Sequence, residues 1–170
     1  NSGNLQLLVK NHKGYKNLIR LISKSHTTGK INGSPFLSVK DLEEYSEGLL
    51  LITGGIDSQI GQSILAGKND IALKQIKYLK NLYKDNFFLQ LTRTGKNQEE
   101  LCNQSLIEFA NELSIPVVAT NQVRFLSKED FEAHETRVCI QSGHVLGDQR
   151  RQRPGESICC WCNTEHCCSG

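Results

Sequence analysis

The stretch PVVATNQVRFLSKEDFEAHE, residues 116–135, decides the fold class of this chain. Its apolar start predicts a strand, its polar middle predicts a turn, and its end predicts the beginning of a helix. In α/β proteins, functional residues commonly follow a strand at such a junction. Here the junction offers Asn121, Gln122 and Arg124. Metal sites and general bases instead need carboxylates and imidazoles.

Strands and helices alternate along the rest of the chain. Apolar runs predict strands over residues 5–9, 48–55, 86–95 and 115–121. Helical spacing predicts four apolar helix faces: Tyr15, Leu18, Ile19 and Ile22; Ile60, Ile64 and Leu65; Ala72, Ile76, Leu79 and Tyr83; and Cys102, Leu106, Phe109 and Leu113. A last helix is expected from about Lys128 to Gln141, closed by Gly143. This alternation favours an α/β fold with a mainly parallel sheet.

Turn and cap signals separate these elements. Residues 25–35 read as a loop, and Ser38 with Asp41 has the spacing of a capping box. Asp57 is the expected cap of the helix that follows the second strand.

Composition sets only loose bounds on function. The chain has 170 residues, 38% hydrophobic and 22% charged, which suits one domain with a real core. A net charge of +2 neither requires nor excludes nucleic acid. We see no apolar run of membrane-spanning length and no signal-peptide pattern, and we expect a cytoplasmic protein. The absence of Met suggests a fragment or a processed piece.

The expected carboxyl ends of the strands carry few groups that could bind a metal. The first strand ends near His12, the second at Gly54 and Gly55, and the third at Thr94 after Gln90. His12 is the single imidazole of this set, and one imidazole does not make a divalent metal site. The glycine pair before a helix could bind an anion through backbone N–H groups, but a tight strand-to-helix turn is the simpler interpretation.

The segment VVATNQVRFLSKEDFEAHETRVCI resembles the PHP (polymerase and histidinol phosphatase) domain of the bacterial DNA polymerase III alpha subunit. NHKGYKNLIRLISKSHTTG, EGLLLITGG, FFLQLTRTG and VLGDQRRQRP match the same family in order, so the resemblance covers roughly residues 5–154. It implies part of a distorted seven-stranded α/β barrel, without the opening His-x-His strand and without the catalytic aspartates of the polymerase.

The resemblance also implies a degenerate metal site. Metal-binding members have Cys, Glu and His where this chain has Gly55, Gln90 and Thr94. They have Asp-x-His where it has Gln122 and Arg124. We therefore expect no bound metal and no catalytic residue in this chain, although the parent polymerase would use Mg²⁺.

By resemblance, the chain is a fragment of a replicative DNA-directed DNA polymerase, a nucleotidyltransferase of DNA replication. Its PHP portion would be structural and would dock the proofreading exonuclease subunit. Its other partners would be the rest of the alpha chain and, through the parent protein, DNA, with no membrane. The alternative is a metal-dependent phosphoesterase or 3'-5' exonuclease whose ligands are completed by the missing N-terminal part.

The last residues depart from the family. We place a boundary near Arg153, which gives a partial PHP domain over residues 1–153 and a cysteine-rich tail over residues 154–170. The tail holds five of the seven cysteines and suggests a disordered or non-native end, as a frame shift would produce. Zinc binding through Cys159, Cys162, His166 and Cys167 is the alternative, although the adjacent second pair strains a tetrahedral site.

Overall fold

The computed structural model of the chain describes residues 3–31, 33–121, 127 and 129–146. The chain divides into two compact units. The first comprises residues 1–91 and 98–119, and the second comprises residues 92–97 and 120–170. The predicted boundary near Arg153 and the cysteine-rich tail lie outside the described residues.

Six strands and six α-helices make up the described fold. The strands are β1 (Gln6–Val9), β2 (Lys30–Ile31), β3 (Ser34–Pro35), β4 (Leu49–Gly54), β5 (Phe87–Thr92) and β6 (Val117–Thr120). The helices are α1 (His12–Thr27), α2 (Val39–Glu44), α3 (Gln59–Leu65), α4 (Asn69–Tyr83), α5 (Glu99–Leu113) and α6 (Asp130–Ser142). One turn of 3-10 helix, Lys84–Asn86, joins α4 to β5.

The main sheet is open and mixed, with the strand order β1-β4-β5-β6. β4 and β5 are parallel, and Gly54 is paired with Gln90. β1 is antiparallel to β4, with Val9 opposite Leu49. The α/β class is therefore confirmed, and β1 is a strand that departs from the mainly parallel arrangement predicted from the sequence. Its carboxyl end lies beside the amino end of β4.

Helices α1 to α5 pack on one face of this sheet around a single hydrophobic core. Leu49 and Leu51 of β4 and Leu89 of β5 are fully buried there against the helices. The predicted faces of α4 and α5 are confirmed, because Ala72, Ile76, Tyr83, Cys102, Leu106 and Phe109 all belong to this core. Burial raises the pKa of Cys102 to about 11, so its thiol stays protonated at neutral pH.

The inward face of α1 differs from the predicted one. Leu18 is half-buried, but Tyr15, Ile19 and Ile22 are 54%, 45% and 50% exposed. The buried side chains are instead Asn17, Leu21 and Ser25, together with Gly14. The reason is a close backbone contact near the start of the helix. Asn17 Nδ2 donates to Glu47 O at 2.9 Å, and Gly14 packs against Gly48.

Most of the cap and turn predictions made from the sequence are confirmed. The capping box of Ser38 and Asp41 is confirmed, and Gly143 ends α6 with a positive φ of 72°. Residues 25–35 are more ordered than a loop, since the antiparallel pair β2–β3 forms there. The cap of α3 is Ser58 and not Asp57, because the Ser58 hydroxyl accepts from Gly61 N.

Candidate functional site

The turn after β4 holds the first position of the expected site. Gly54 has a φ of 135° and Gly55 a φ of 69°, both in the region that side chains disfavour. A Cβ on Gly54 would lie 2.8 Å from Gln90 O on the neighbouring strand. The backbone path therefore excludes a side chain at Gly54 by close contact and disfavours one at Gly55 by its φ.

Hydrogen bonds within the turn use its polar groups. Gly55 O accepts from Ser58 N at 3.2 Å and from Ser58 Oγ at 2.9 Å. Ser58 Oγ in turn accepts from Gly61 N at 2.9 Å, and a Cβ on Gly61 would lie 1.9 Å from Gly55 O. The buried Ser58 hydroxyl already accepts from an N–H group in the first turn of α3, so that N–H group is not available to an anion. This arrangement favours the tight-turn interpretation over anion binding.

Gln90 lies next to this turn on β5. It is paired with Gly54 in the parallel ladder and is half-buried. The first unit thus brings two of the expected site positions, Gly55 and Gln90, onto neighbouring strands. One offers no side chain, and the other offers a neutral amide that is a poor ligand for a transition metal.

The remaining positions belong to the second unit. Thr94 is buried and engaged in contacts within the fold. Gln122 and Arg124 fall outside the described residues. Their part in the site therefore stays a prediction.

His12 is not part of the same strand-end set. Because β1 is antiparallel to β4, the residue that follows it lies towards the opposite edge from the glycine turn. His12 begins α1, and its ring stacks on Tyr15 with 6.5 Å between centroids. The single imidazole of the predicted set is thus removed from the site.

Residues 3–31, 33–121, 127 and 129–146 contain no group of three His, Cys, Asp or Glu side chains that could hold an ion.

Sequence reasoning missed a groove in the first unit. Gln75 and Lys74 of α4 line it together with apolar side chains from α2, from α3 and from the residues before β1. The available signal was Gln75 itself, a polar residue within the apolar face formed by Ala72, Ile76 and Leu79.

The PHP domain family profile matches residues 1–94, more than half of the chain. This chain belongs to the PHP domain family. Its similarity to curated proteins extends further, over 149 residues or 88% of the chain. The DNA polymerase III subunit alpha of Vibrio cholerae serotype O1 is 40% identical over this span, and that of Escherichia coli strain K12 is 39% identical. The corresponding subunit of Pseudomonas aeruginosa is 37% identical.

The PHP chain spans about 13% of the length of each of these relatives. It is therefore homologous to one region of a much longer polymerase subunit. Among the described helices, none combines the length and apolarity needed to cross a membrane.

Proposed function

We propose that this chain is the PHP portion of a replicative DNA polymerase alpha subunit and acts as a non-catalytic scaffold. In this role it supports the polymerase chain and docks the proofreading exonuclease subunit in the cytoplasm, and it meets DNA only through the parent protein. The identity of about 40% over 149 residues supports the assignment to this subunit. Any polymerase activity and its Mg²⁺ would belong to the rest of the subunit.

The observation that carries the non-catalytic role is the backbone at Gly55. With a φ of 69° and its carbonyl bonded to Ser58, this turn disfavours the Cys that metal-binding members have there. Gln90 on the adjacent strand offers no charge. Divalent cations need several anionic or imidazole ligands converging on one point, and these two positions supply none. We extend the same reasoning to Thr94, Gln122 and Arg124.

The second face of the sheet supports a place in a seven-stranded barrel. Leu50, Ile52 and Phe88 are half-buried there and lie outside the helix-covered core, and Leu8 is half-exposed. Sheets covered by helices on one face only would carry polar residues on the other. Gln6 and Gln90 also lie on this face, but its apolar majority is what a barrel interior requires.

Titration with Mn²⁺ tests the loss of the metal site. Mn²⁺ prefers oxygen and imidazole ligands, so the cysteines of the full chain interfere little. We expect no saturable binding by calorimetry and no phosphate release from p-nitrophenyl phosphate. The double substitution Gln122→Asp and Arg124→His should bind Mn²⁺ more tightly than the unchanged chain. Stoichiometric Mn²⁺ on the unchanged chain, with phosphate release, would instead establish the phosphoesterase alternative.

A binding measurement tests the docking role. The full chain is titrated with the purified proofreading exonuclease subunit of Vibrio cholerae and followed by sedimentation velocity. We expect a saturable complex, and an unrelated α/β protein of similar size serves as the control. If the two proteins sediment independently at every concentration, the docking role is wrong for this chain.

A further inference from the structure

The exposed side of α1 carries a line of large apolar side chains. Tyr15, Ile19 and Ile22 follow one another at i, i+4 and i+7, so they lie on one face of the helix. Each of them is about half exposed, and we call this face the outer stripe. A surface helix usually turns charged or polar side chains to solvent on this side. The outer stripe therefore points to a contact with a further surface.

The outer stripe is directed away from the sheet. Successive residues of a helix are about 100° apart, so Ile19 lies about 160° from the buried Leu21 around the helix axis. The barrel proposed above would close on the other face of the sheet. Strands that close it would not reach the outer stripe, so the partner of this stripe is an element outside the sheet.

The charged side chains of α1 are all positive, since the helix contains no Asp or Glu. Lys13 and Lys24 already have carboxylate partners, at 2.7 Å and 2.6 Å. Lys16 and Arg20 follow each other at i, i+4 on one flank of the outer stripe and are exposed. They form no ion pair with any residue that the structure describes, although Arg20 lies 6.0 Å from the ring of Tyr45. The flank therefore offers two positive charges to carboxylates of a partner.

Shape and charge together select the kind of partner. A line of apolar side chains on one helix is a convex ridge, and such ridges pack into the grooves of another helix. Carboxylates beside the apolar face of that helix would complement Lys16 and Arg20. A second copy of the chain would instead bring the same unpaired cations together, which disfavours self-association.

The area of the outer stripe favours a partner within the same polypeptide. Three half-exposed side chains amount to an area on the order of a few hundred Å². Stable complexes between separate proteins bury roughly 800 Å² on each partner. Domains joined by one chain meet at a high effective concentration, so a smaller contact suffices. This chain spans about 13% of each polymerase relative, so the rest of such a subunit could supply the helix.

We propose that the outer stripe packs against an acidic amphipathic helix from the rest of the polymerase subunit. Apolar side chains of that helix contact Tyr15, Ile19 and Ile22, and its carboxylates pair with Lys16 and Arg20. The source of the helix rests on the proposed function, whereas the chemistry of the surface does not. The inference assigns a surface to the support that the PHP portion gives the polymerase chain.

A helical peptide tests the chemistry of the surface apart from the proposed function. It is an acetylated amide of about 18 residues, long enough to form a helix in water, with Leu on one face, Glu on both flanks and Ala and Gln elsewhere. We titrate it into the full isotope-labelled chain and expect saturable amide shifts centred on Tyr15 to Ile22. The matched peptide with Lys in place of Glu should bind about ten-fold more weakly, since two ion pairs become two repulsions.

Substitutions in α1 separate the apolar contact from the charges. Ile19→Glu should weaken binding of the acidic peptide at least about ten-fold, because an apolar contact is lost and a like charge is added. Leu101→Glu is the control, since Leu101 of α5 is 54% exposed, and it should leave binding unchanged. Lys16→Gln combined with Arg20→Gln should remove the preference for the acidic peptide over the basic one.

A chimeric subunit tests the source of the helix. The 149 matching residues of the Vibrio cholerae alpha subunit are replaced by those of this chain, with Ile19→Cys introduced. DNA synthesis by this chimera on a primed template tests the proposed function. Maleimide should label Ile19→Cys at least about ten-fold more slowly in the active chimera than in the isolated chain, because the thiol is covered. Thr27→Cys, at the exposed end of α1, should be labelled at similar rates in both.

The outcomes that overturn the inference differ from those that overturn the proposed function. The surface is wrong if the acidic peptide gives no saturable shifts on α1, if both peptides bind equally, or if single-stranded DNA saturates α1 and the peptide does not. Equal labelling of Ile19→Cys in an active chimera and in the isolated chain would exclude the polymerase subunit as the source. Loss of exonuclease docking in Ile19→Glu would transfer the surface to that partner. An inactive chimera counts against the proposed function, and the peptide titration then decides the surface alone.

Discussion

Gly14 and Gly48 pack backbone against backbone, so that a methyl group on Gly14 would lie 1.8 Å from the carbonyl oxygen of Gly48. The same oxygen accepts from Lys10 N at 2.9 Å, and Gly14 N donates to Asn11 Oδ1 at 2.9 Å. These bonds hold the start of α1 against the turn that leads into β4. The first unit therefore depends on this contact for the orientation of its first helix.

Replacing Gly14 by alanine tests this contact. In an ordinary helix interior, Gly→Ala stabilises by about 0.5–1 kcal/mol. Here the added methyl group meets a fixed backbone oxygen, so we expect Gly14→Ala to lower the free energy of unfolding by about 2 kcal/mol or more. Urea denaturation measures the change, with Ser23→Ala on the exposed side of α1 as the control. A stabilising Gly14→Ala would contradict the close approach.

This contact also explains what the sequence did and did not reveal about α1. The spacing of Tyr15, Ile19 and Ile22 correctly predicts a helix, because periodicity reports the local backbone. It gave the wrong inward face. Which face packs inward is decided by the approach of Gly14 to Gly48, and that contact joins residues distant in the sequence.

The direction of β1 could not be predicted from the sequence for a related reason. Alternating strands and helices suggest parallel crossovers, but a β2–β3 hairpin and α2 lie between α1 and β4. The pairing of Val9 with Leu49 is set by long-range contacts that local patterns do not contain. By contrast, the sequence correctly places Gly55 after β4 and Gln90 within β5, because each follows from a single strand and its turn. That they belong to a former metal site stays a prediction.

The ion pair between Lys24 and Asp41 predicts a pH dependence of stability. Lys24 Nζ lies 2.6 Å from Asp41 Oδ1 and joins α1 to α2. Hydrogen bonds from Lys24 and then from Ser38 lower the pKa of Asp41 to about 2. Because the folded pKa is below that of an unfolded Asp, this stabilisation is present above about pH 4 and is lost as the pH falls towards 2.

Replacing Asp41 by Asn tests this connection between the pKa of Asp41 and the stability of the fold. We expect Asp41→Asn to reduce stability at pH 7 by at most about 1 kcal/mol, since the Lys24 end is solvent-exposed. The difference from the unchanged chain should shrink between pH 4 and pH 2. Thermal unfolding across this range provides the measurement. The exposed Asp85 has no ion pair within the described ranges, and Asp85→Asn should leave the pH profile unchanged. Parallel profiles for the unchanged chain and Asp41→Asn would contradict the assignment.

Two glycines with positive φ, Gly54 at the end of β4 and Gly67 after α3, predict different costs for alanine. Gly67 has a φ of 70° with open space around it, so Gly67→Ala should cost about 1 kcal/mol from backbone strain alone. Gly54 has a φ of 135° and would also bring its Cβ to 2.8 Å from Gln90 O. Gly54→Ala should therefore lower stability in urea by about 1–3 kcal/mol more than Gly67→Ala. Equal losses would mean that β4 and β5 separate easily at the site, which would weaken the argument for a closed turn.

Mutations on the buried and the exposed side of α1 are expected to change stability by very different amounts. Leu21 is fully buried in the core, so Leu21→Ala should cost about 2–5 kcal/mol through lost burial and the cavity left behind. Ile19 is 45% exposed, so Ile19→Gln should change stability by no more than about 0.5 kcal/mol. Urea denaturation of both variants distinguishes this orientation from the one that the sequence predicts. Under the predicted orientation, Ile19→Gln would place an amide in the core and would be the more damaging change.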